Sequence, residues 1–295
     1  MKKILLLINP KSRSGEEAYR SMQEKLHAAG YATIQITNEE RESDPNLLIR
    51  KYQSEICYVV VGGGDGSVNY ALPALIETHI PLVVYPLGTA NNLARSMNVP
   101  TDAEQVIILL QTGVVTKIDL GLVNEIPFVN VAGMGLSTEV NLKVSSQLKK
   151  KLGVFAFIWT AFRSLPYMKP FSATISKSDG TQFKSRSWQI TVCNGKFYGA
   201  GMAIKHDASL VDERLHCLSA EMKHWWTGFT MIPAFFKGRY KHSHEISLLQ
   251  DREFEIKTKK RHPIDVDGDV KTHTPARFKV LPKALSILVP KEACL

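Results

Sequence analysis

The sequence predicts an α/β protein of two domains: an N-terminal three-layer α/β domain with a parallel sheet, and a C-terminal antiparallel β-sandwich domain. Over about the first 120 residues, short apolar runs alternate with amphipathic helical patterns, which is typical of a parallel sheet covered by helices. Beyond that point, short segments of alternating polarity follow one another, as in antiparallel sandwiches. A length of 295 residues with 44% hydrophobic residues suffices for one large or two modest domains.

We expect residues 1–120 to form the first domain and residues 121–295 the second, with the last residues either staying there or returning to the first domain. The apolar run Ile4–Ile8 predicts a buried strand. It follows two lysines as in a signal peptide, but it is only five residues long and lacks a small-residue cleavage site. Capping residues predict helix starts at Ser14, Asp44 and Thr101, and Tyr31–Thr37 predicts another strand.

The most informative stretch is a strand that ends in three glycines. The run Val59–Val61 predicts a buried strand, Gly62–Gly64 end it, and a helical pattern starts at Val68. Such a turn brings bare backbone N–H groups to a helix N-terminus, where the helix dipole favours anions such as phosphate. Asp65 lies in this turn, where its carboxylate could hold a Mg²⁺ that bridges phosphates. The alternative is a tight structural turn with Asp65 as a cap.

A second turn of the same kind follows about 25 residues later. The run Ile80–Tyr85 predicts a strand, Pro86–Thr89 predict a turn, and Thr89 or Asn91 can cap the helix that comes next. Parallel strands end at the same edge of a sheet. The two turns could therefore lie side by side at the carboxyl edge, where open α/β sheets bind ligands.

These motifs resemble a known family. Gly63–Asn69 (GGDGSVN) is similar to the Gly-Gly-Asp-Gly-Thr-x-Asn signature of the diacylglycerol kinase catalytic domain, and Pro86–Arg95 (PLGTANNLAR) to its Pro-x-Gly-Thr-Ala-Asn-Asp-x-Ala-Arg signature. Leu7–Ser12 with Gly15 resembles its Asn-Pro-x-Ser-Gly opening. In length and layout the chain resembles the soluble bacterial, YegS-like lipid kinase branch over essentially its whole length. Gly-Gly-Asp-Gly alone also occurs in NAD kinases and phosphofructokinases, but all the motifs in this order are quite specific.

The resemblance implies a nucleotide-binding first domain, a β-rich second domain for the lipid substrate, and an active site in the cleft. Phosphoryl transfer to an alcohol needs a cradle for the ATP phosphates, Mg²⁺ to neutralise charge, and a group that takes the hydroxyl proton. ATP and Mg²⁺ are the implied cofactors, and Asp65 is expected to act in catalysis. The expected nucleotide-binding residues are Asn9, Thr37, Gly63, Gly64, Asp65, Gly66, Ser67, Asn69 and Thr89.

The acid-rich segment Ile264–Val270 (IDVDGDV) contains the candidate general base. The family has Asp-Gly-Glu here, with the Glu as the proposed base, so the resemblance puts Asp269 in that role. Asp is one methylene shorter, and this matters because proton transfer needs heavy atoms about 2.6–3.2 Å apart. The residues alone favour another interpretation: Asp-Gly is a strong hairpin signal, and the acids would be exposed beside the turn.

Ala208–Leu215 (ASLVDERL) resembles the family's Asp-Gly-x-Leu region, whose Asp helps to hold a structural Mg²⁺. The resemblance implies Asp212 as the ligand, with the backbone carbonyl groups of Ser209 and Arg214 as helpers. Glu213 stands where the family has Gly. It either strains a left-handed backbone by about 1 kcal/mol or more, or adds a ligand.

The resemblance implies an ATP- and Mg²⁺-dependent lipid kinase, a phosphotransferase that acts on a hydroxyl of a diacylglycerol-like, sphingoid or related lipid. Other departures from the family pattern are Asn92 in place of Asp and Ser137 in a segment where the family has Gly-x-Asp-Ala; Ser67 for Thr is mild, because the hydroxyl remains. These changes keep open a catalytically weak or dead pseudokinase that binds nucleotide or lipid. An NAD kinase-like enzyme shares Gly-Gly-Asp-Gly, but the other motifs fit it poorly.

The net charge of +9 suits a nucleotide or an anionic membrane. No nucleic-acid-binding module is recognisable, so we expect no nucleic acid partner.

No stretch reaches the ~18 apolar residues of a membrane-spanning helix. Segments 154–162 and 224–240 and the basic cluster Lys257–His262 either meet a membrane surface or, for the two aromatic segments, pack within the second domain. We expect a cytoplasmic, peripherally membrane-associated protein with reduced cysteines. The sequence predicts no oligomeric state.

Overall fold

A computed structural model describes residues 3–8, 15–143, 168–198, 202–205, 207–222 and 245–293, with the single positions 160, 163, 164 and 227. The chain divides into two compact units, Met1–Asp119 with Pro282–Leu295, and Leu120–Leu281. The first contains a parallel sheet with helices, and the second contains antiparallel sheets. The predicted fold class is therefore confirmed.

The strands in the described residues are β1 (Lys3–Ile8), β2 (Ile56–Gly63), β3 (Leu82–Pro86), β4 (Val114–Val123), β5 (Ile126–Phe128), β6 (Val131–Gly135), β7 (Phe171–Lys177), β8 (Gln182–Ser187), β9 (Gln189–Cys193), β10 (Phe197–Tyr198), β11 (Met202–Ala203), β12 (Leu215–Ala220), β13 (Ile246–Asp251), β14 (Glu253–Thr258), β15 (Pro263–Val266), β16 (Asp269–His273) and β17 (Ala276–Val289). The helices there are α1 (Gly15–Ala28), α2 (Asn38–Glu42), α3 (Pro45–Tyr52), α4 (Asp65–Thr78), α5 (Asn92–Ser96), α6 (Ala103–Thr112) and α7 (Leu136–Lys143). None of these helices is long and apolar enough to cross a bilayer.

The sheet of the first unit brings the two glycine turns together. Its parallel strands follow the order β1-β2-β3-β17, and the end of β17 pairs with β3 through Ile287 and Leu82. The register between β2 and β3 runs from Val59 opposite Leu82 to Gly63 opposite Pro86. Because the two strands end level with each other, the turns that follow are neighbours at the carboxyl edge of the sheet, as predicted.

The predicted strand Tyr31–Thr37 is wrong. Only one parallel bridge forms there, between Thr33 and Ile4. Thr37 instead starts α2: its hydroxyl oxygen accepts the Glu40 N–H at 3.2 Å, and its own N–H donates to the Glu40 side chain at 2.9 Å. This reciprocal capping box satisfies the helix start locally and ends the extended conformation.

Two other predicted helix starts have different outcomes. Asp44 caps α3, with Pro45 in the first turn, as predicted. The start of α6 is one residue later than predicted, because the carboxylate of Asp102 rather than the hydroxyl of Thr101 accepts the first N–H groups. A carboxylate is the stronger cap, since it also interacts favourably with the helix dipole. Ser14 lies outside the described residues.

A buried amide side chain repairs a break in α4, the helix that follows the first glycine turn. Pro73 lies inside α4 and has no N–H to donate, so it disturbs the regular hydrogen bonding. The Asn46 side chain, from α3, inserts beside it: Nδ2 donates to the Tyr70 carbonyl at 2.8 Å, and Oδ1 accepts the Ala74 N–H at 2.9 Å. In a regular helix these two backbone groups would bond each other. Asn46 therefore fixes α3 to α4 while satisfying both groups.

The second unit is a sandwich of two antiparallel sheets. In the described residues one has the order β17-β14-β7-β8 and the other β13-β12-β9-β6-β15-β16. Both contribute to one apolar core, the first through Phe254 and Phe278 and the second through Leu215 and Ile264. After α7 the structure describes positions 160, 163 and 164 before residue 168. The segments 154–162 and 224–240 lie outside the described residues except for 160 and 227.

We predict that Asn46→Ala lowers the free energy of unfolding by about 3 kcal/mol, because it leaves the buried Ala74 N–H and the part-buried Tyr70 carbonyl without partners. Pro73→Ala restores a helical N–H, so part of this cost should disappear when the two changes are combined. Urea denaturation of the two single variants and the double variant measures this coupling. Additive costs within 0.5 kcal/mol would contradict the bridging role of Asn46 (~0.5 kcal/mol is the usual additivity error).

Candidate active site

The two glycine turns pack backbone against backbone. The Leu87 N–H donates to the Gly63 carbonyl at 2.9 Å, which extends the pairing of β2 and β3 into the turns. A Cβ atom at Gly88 would lie 2.5 Å from the Cα of Gly64, closer than real atoms approach. Gly88 therefore has to be glycine for the second turn to lie against the first.

The Asp65 carboxylate links the two turns. Asp65 is the first residue of α4, and its two oxygens accept the N–H groups of Asn92 at 3.0 Å and Leu93 at 3.1 Å, at the start of α5. A carboxylate from one helix thus caps the next, where it satisfies two donors that have no partner within the helix. Asp65 does act as a cap, but for α5 rather than for its own turn.

The predicted cap of α5 is confirmed for the position of Asn91 but wrong for its side chain. Asn91 occupies the cap position in a left-handed conformation, with φ 47°, and its side chain gives α5 no capping bond. That side chain closes the turn instead: Oδ1 accepts the Gly88 N–H at 3.1 Å and Nδ2 donates to the Gly88 carbonyl at 2.8 Å. Asn tolerates the left-handed region better than most residues, which explains its use here.

The other residues expected to bind nucleotide have different environments. Gly66 and Thr89 are exposed at the two turns, and the Thr89 hydroxyl has no hydrogen-bond partner among the described residues. Asn69 is buried one turn into α4. Thr37 caps α2, away from the glycine turns in sequence. Asn9 lies outside the described residues.

Asn92 stands where the family signature has Asp, and the surroundings of its side chain are unusual. Its side chain is only 5% exposed, and its Oδ1 is buried without a hydrogen-bond partner in the described structure. Buried polar atoms are nearly always hydrogen-bonded, so an atom without a partner needs an explanation such as a bound water, ion or ligand. Asn92 follows the turn directly and donates its N–H to Asp65.

The predicted hairpin in the second unit forms around the acid-rich segment. Val266 pairs with Asp269 across the two-residue turn Asp267–Gly268. Both turn residues have positive φ, 48° and 105°, as a type I′ turn requires. The carboxylate of Asp265 accepts the Gly268 N–H at 2.9 Å and so holds the turn from inside.

Asp267 fixes the hairpin to β6. Its carboxylate accepts three consecutive backbone N–H groups, from Val129 at 2.7 Å, Asn130 at 3.0 Å and Val131 at 2.9 Å. Sequence analysis missed this role, since the partners lie more than 130 residues earlier. Asp269 differs from the other two acids: it is exposed, and its side chain has no hydrogen-bond or ion-pair partner among the described residues. The hairpin interpretation expected the acids of this segment to be exposed. Two of them, Asp265 and Asp267, instead hold the structure by binding backbone N–H groups.

Asp212 lies in a loop before β12 and binds N–H groups. Its carboxylate accepts the Arg214 N–H at 3.0 Å and the Ser209 N–H at 3.3 Å. The ring Nε2 of His216 lies 3.0 Å from the same carboxylate, and this side chain is only 1% exposed. His216 thus anchors the loop to β12.

The structural Mg²⁺ that the resemblance implied stays a prediction. Its expected ligands are the carboxylate of Asp212 and the backbone carbonyl groups of Ser209 and Arg214, and the same carboxylate also accepts the N–H groups of these two residues. In the described residues no group of three or more His, Cys, Asp or Glu side chains could hold a metal ion. Glu213 has a left-handed φ of 53° and its side chain pairs with Arg252, which favours strain over an additional ligand.

Two family models match the chain. "Diacylglycerol kinase catalytic domain" matches residues 3–123, and "YegS C-terminal NAD kinase beta sandwich-like domain" matches residues 130–289. The chain is 30% identical to a probable lipid kinase YegS-like of Shewanella frigidimarina, over 99% of this chain and 96% of the relative. The chain belongs to the diacylglycerol kinase family, in its YegS-like lipid kinase branch. This confirms the predicted family and, at the level of the family, the predicted class of alcohol-acceptor phosphotransferase.

Other relatives agree with this family. The chain is 25% identical to the diacylglycerol kinase of Bacillus subtilis (strain 168), over 99% of this chain and 98% of that protein. A solved structure of a diacylglycerol kinase from Bacillus anthracis str. Sterne has a TM-score of 0.73 at 21% identity, over 99% of this chain and 98% of that chain, and shares the fold. The chain spans 62% of the length of one longer relative, from Synechocystis sp..

We predict that Asp65→Ala exposes the amides of Asn92 and Leu93 to hydrogen exchange and lowers the free energy of unfolding by about 1–2 kcal/mol, the usual cost of a lost cap. Asp102→Ala is the matched control, because it removes a carboxylate cap from α6 and leaves α5 intact. Hydrogen–deuterium exchange resolved to single amides measures the effect. Unchanged protection of residues 92 and 93 in Asp65→Ala would show that the carboxylate does not hold α5.

We also predict that His216→Phe lowers the free energy of unfolding by about 2 kcal/mol, because it keeps the ring volume but leaves Asp212 without its buried partner. Differential scanning calorimetry of the unchanged chain and the variant measures this cost, and equal melting temperatures would contradict the anchoring role of His216. The same scans in Mg²⁺ and in EDTA test the metal prediction. A saturable rise in melting temperature with Mg²⁺ that Asp212→Asn abolishes would support a metal site.

Proposed function

We propose that the chain is an ATP- and Mg²⁺-dependent lipid kinase, which transfers the γ-phosphate to a hydroxyl of a diacylglycerol-like, sphingoid or related lipid. The observation that carries this proposal is the pair of adjoining glycine turns at the sheet edge, linked by Asp65, in a chain of the diacylglycerol kinase family. The first unit binds nucleotide and the second unit binds lipid. The protein acts in the cytoplasm, at the membrane surface where its substrate lies.

The glycine turns are the proposed cradle for the ATP phosphates. Gly64 and Gly66 let an anion approach the backbone at the start of α4, and the dipole of that 14-residue helix favours negative charge there. The exposed Thr89 hydroxyl donates a further hydrogen bond from the second turn. Mg²⁺ enters with ATP as the substrate complex and supplies neutralisation of phosphate charge. Asp65 acts as a positioning residue, because both of its oxygens already bind backbone N–H groups.

Asp269 is the proposed general base. It takes the proton of the lipid hydroxyl while that oxygen forms its bond to the γ-phosphorus, and the bond from the γ-phosphorus to the bridging oxygen of ADP breaks. Asp265 and Asp267 support this assignment indirectly: both are bound to backbone N–H groups, whereas Asp269 is exposed. Rigid attachment of the turn to β6 holds Asp269 in one position, which general base catalysis requires.

A pseudokinase that binds nucleotide or lipid is the second candidate, and one observation favours it. The buried amide of Asn92 stands where the family signature has a carboxylate, so the described turns contain Asp65 as an acid but no second acid at position 92. An NAD kinase-like activity has less support, because the first unit matches the diacylglycerol kinase catalytic domain.

Transfer of radiolabelled γ-phosphate from Mg·ATP to a panel of lipids in mixed micelles tests the proposal. Label in one lipid class identifies both the activity and the substrate. No label in any lipid, while ATP still binds, would favour the pseudokinase.

We predict that Asp269→Asn lowers kcat about 10²- to 10⁴-fold, the usual contribution of a general base. The Kd for ATP and the melting temperature should not change, because Asp269 is exposed and has no described partner. Asp269→Glu should retain activity, since it keeps a carboxylate. Asp179→Asn, in the exposed turn between β7 and β8, is the matched control. Full activity of Asp269→Asn would exclude Asp269 as the base.

A further inference from the structure

A groove crosses the outer face of the sheet β14-β7-β8 in the second unit. The middle strand, β7, contributes the short hydroxyl side chains of Ser172 and Thr174, whereas the flanking strands contribute long cationic ones. The register places Arg186 of β8 opposite Ser172, and Lys184 of β8 and Lys257 of β14 opposite Thr174. Short side chains in the middle and long ones on both sides leave a channel of about 490 Å³. With Lys259, these residues define the β7 groove.

The β7 groove has more positive charge than its neighbours neutralise. Lys257 pairs with Glu255 at 2.7 Å. Lys184, Arg186 and Lys259 have no ion-pair partner among the described residues. Lys184 and Arg186 lie two residues apart on the same face of β8, about 7 Å along the strand, so their charges repel each other at short range. No carboxylate of the described chain compensates these three charges, which points to an anion from outside.

The chemistry of the β7 groove fits phosphate groups. Hydroxyls on the floor can donate to phosphate oxygens, and cations on both walls can form charge-assisted hydrogen bonds with them. Arg186 has the planar fork that binds two phosphate oxygens at once. The large apolar side chain of Ile175 belongs to the core. The groove is therefore lined by hydroxyl and cationic side chains with Ala173, and by no large apolar side chain.

The exposure of the cations in the β7 groove favours a bilayer over a soluble phosphate as the ligand. Lys184, Arg186 and Lys257 are exposed, and a contact between exposed ions is weak. A single small anion would therefore bind poorly. An anionic bilayer presents many headgroups at once, so that each basic residue near its surface adds roughly five-fold in affinity. The net charge of +9 acts in the same direction.

We propose that the β7 groove binds the phosphate headgroups of an anionic bilayer and so docks the second unit on the membrane. The proposal rests on the proposed function in one respect: a lipid kinase has to reach its substrate at a bilayer. None of the groove residues is assigned to nucleotide binding or to proton transfer. Docking is therefore measurable whether or not phosphate is transferred.

The test uses a groove variant with Lys184→Glu, Arg186→Glu and Lys259→Glu. Its binding to vesicles of phosphatidylglycerol mixed with phosphatidylcholine is measured by sedimentation at several salt concentrations. The affinity of the variant for these vesicles is expected to be about 100-fold lower than that of the unchanged chain. Three basic residues are lost, and each contributes roughly five-fold to the affinity. Neither protein should bind pure phosphatidylcholine vesicles. If charge reversal disturbs folding, the corresponding Gln substitutions test the same contacts.

A matched variant with Lys117→Glu, Lys283→Glu and Lys291→Glu has the same net charge but changes exposed cations of the first unit. Its affinity for the anionic vesicles should fall by less than about 10-fold, because only the long-range attraction of the net charge is reduced. Equal losses in both variants would overturn the proposal, because net charge would then explain the binding. Tight binding of inorganic phosphate that the groove variant loses would also overturn it, in favour of a soluble ligand.

Kinase assays separate this proposal from the proposed function. On a short-chain diacylglycerol dissolved as monomers, the groove variant should be as active as the unchanged chain; on the same headgroup in anionic vesicles it should be about 10-fold or more slower. Loss of activity on both substrates would place the groove residues in catalysis and contradict a docking role. If no lipid is phosphorylated, the proposed function fails while the sedimentation result still decides the docking site.

Discussion

The capping of α5 by the Asp65 carboxylate is the interaction on which the candidate site depends. Parallel pairing brings the ends of β2 and β3 level, and Gly88 lets the second turn touch the first. Neither feature fixes the direction of α5. The carboxylate does so, because it binds two N–H groups that a helix cannot satisfy by itself. One charged side chain thereby joins the two glycine turns.

The second unit uses carboxylates in the same way. Asp265 and Asp267 lie in the acid-rich hairpin, yet both bind backbone N–H groups, and the bonds offset the cost of removing these charges from water. Asp265, Asp267 and Asp269 stand at every second position and have different environments. Asp265 and Asp267 fix the turn and attach it to β6, whereas Asp269 is exposed beside it. A fixed turn is what the general-base role proposed for Asp269 requires.

Local patterns predicted what local interactions determine. The strands beside the glycine turns, the cap at Asp44 and the Asp-Gly hairpin follow from residues close together in the sequence. Some failures are local, since the capping box of Thr37 with Glu40 and the bonds of Asn91 to Gly88 join residues three apart. Others have non-local causes: Asp65 caps a helix that starts 27 residues later, and Asp267 binds N–H groups 136 to 138 residues earlier. Such partners depend on topology and register, which periodicity does not encode.

These structural carboxylates also bear on the surface charge of the chain. The chain has 37 Lys and Arg residues against 28 Asp and Glu residues, and several acids, among them Asp65, Asp212 and Asp267, bind backbone N–H groups. An acid used in this way is less available to neutralise a lysine or arginine on the surface. Lys184 is one cation with no ion-pair partner in the part of the chain that the structure describes. The acids of the chain thus hold backbone N–H groups, while part of its surplus of cations faces solvent. Both features follow from where the charged residues lie, and the surplus of cations attracts polyanions.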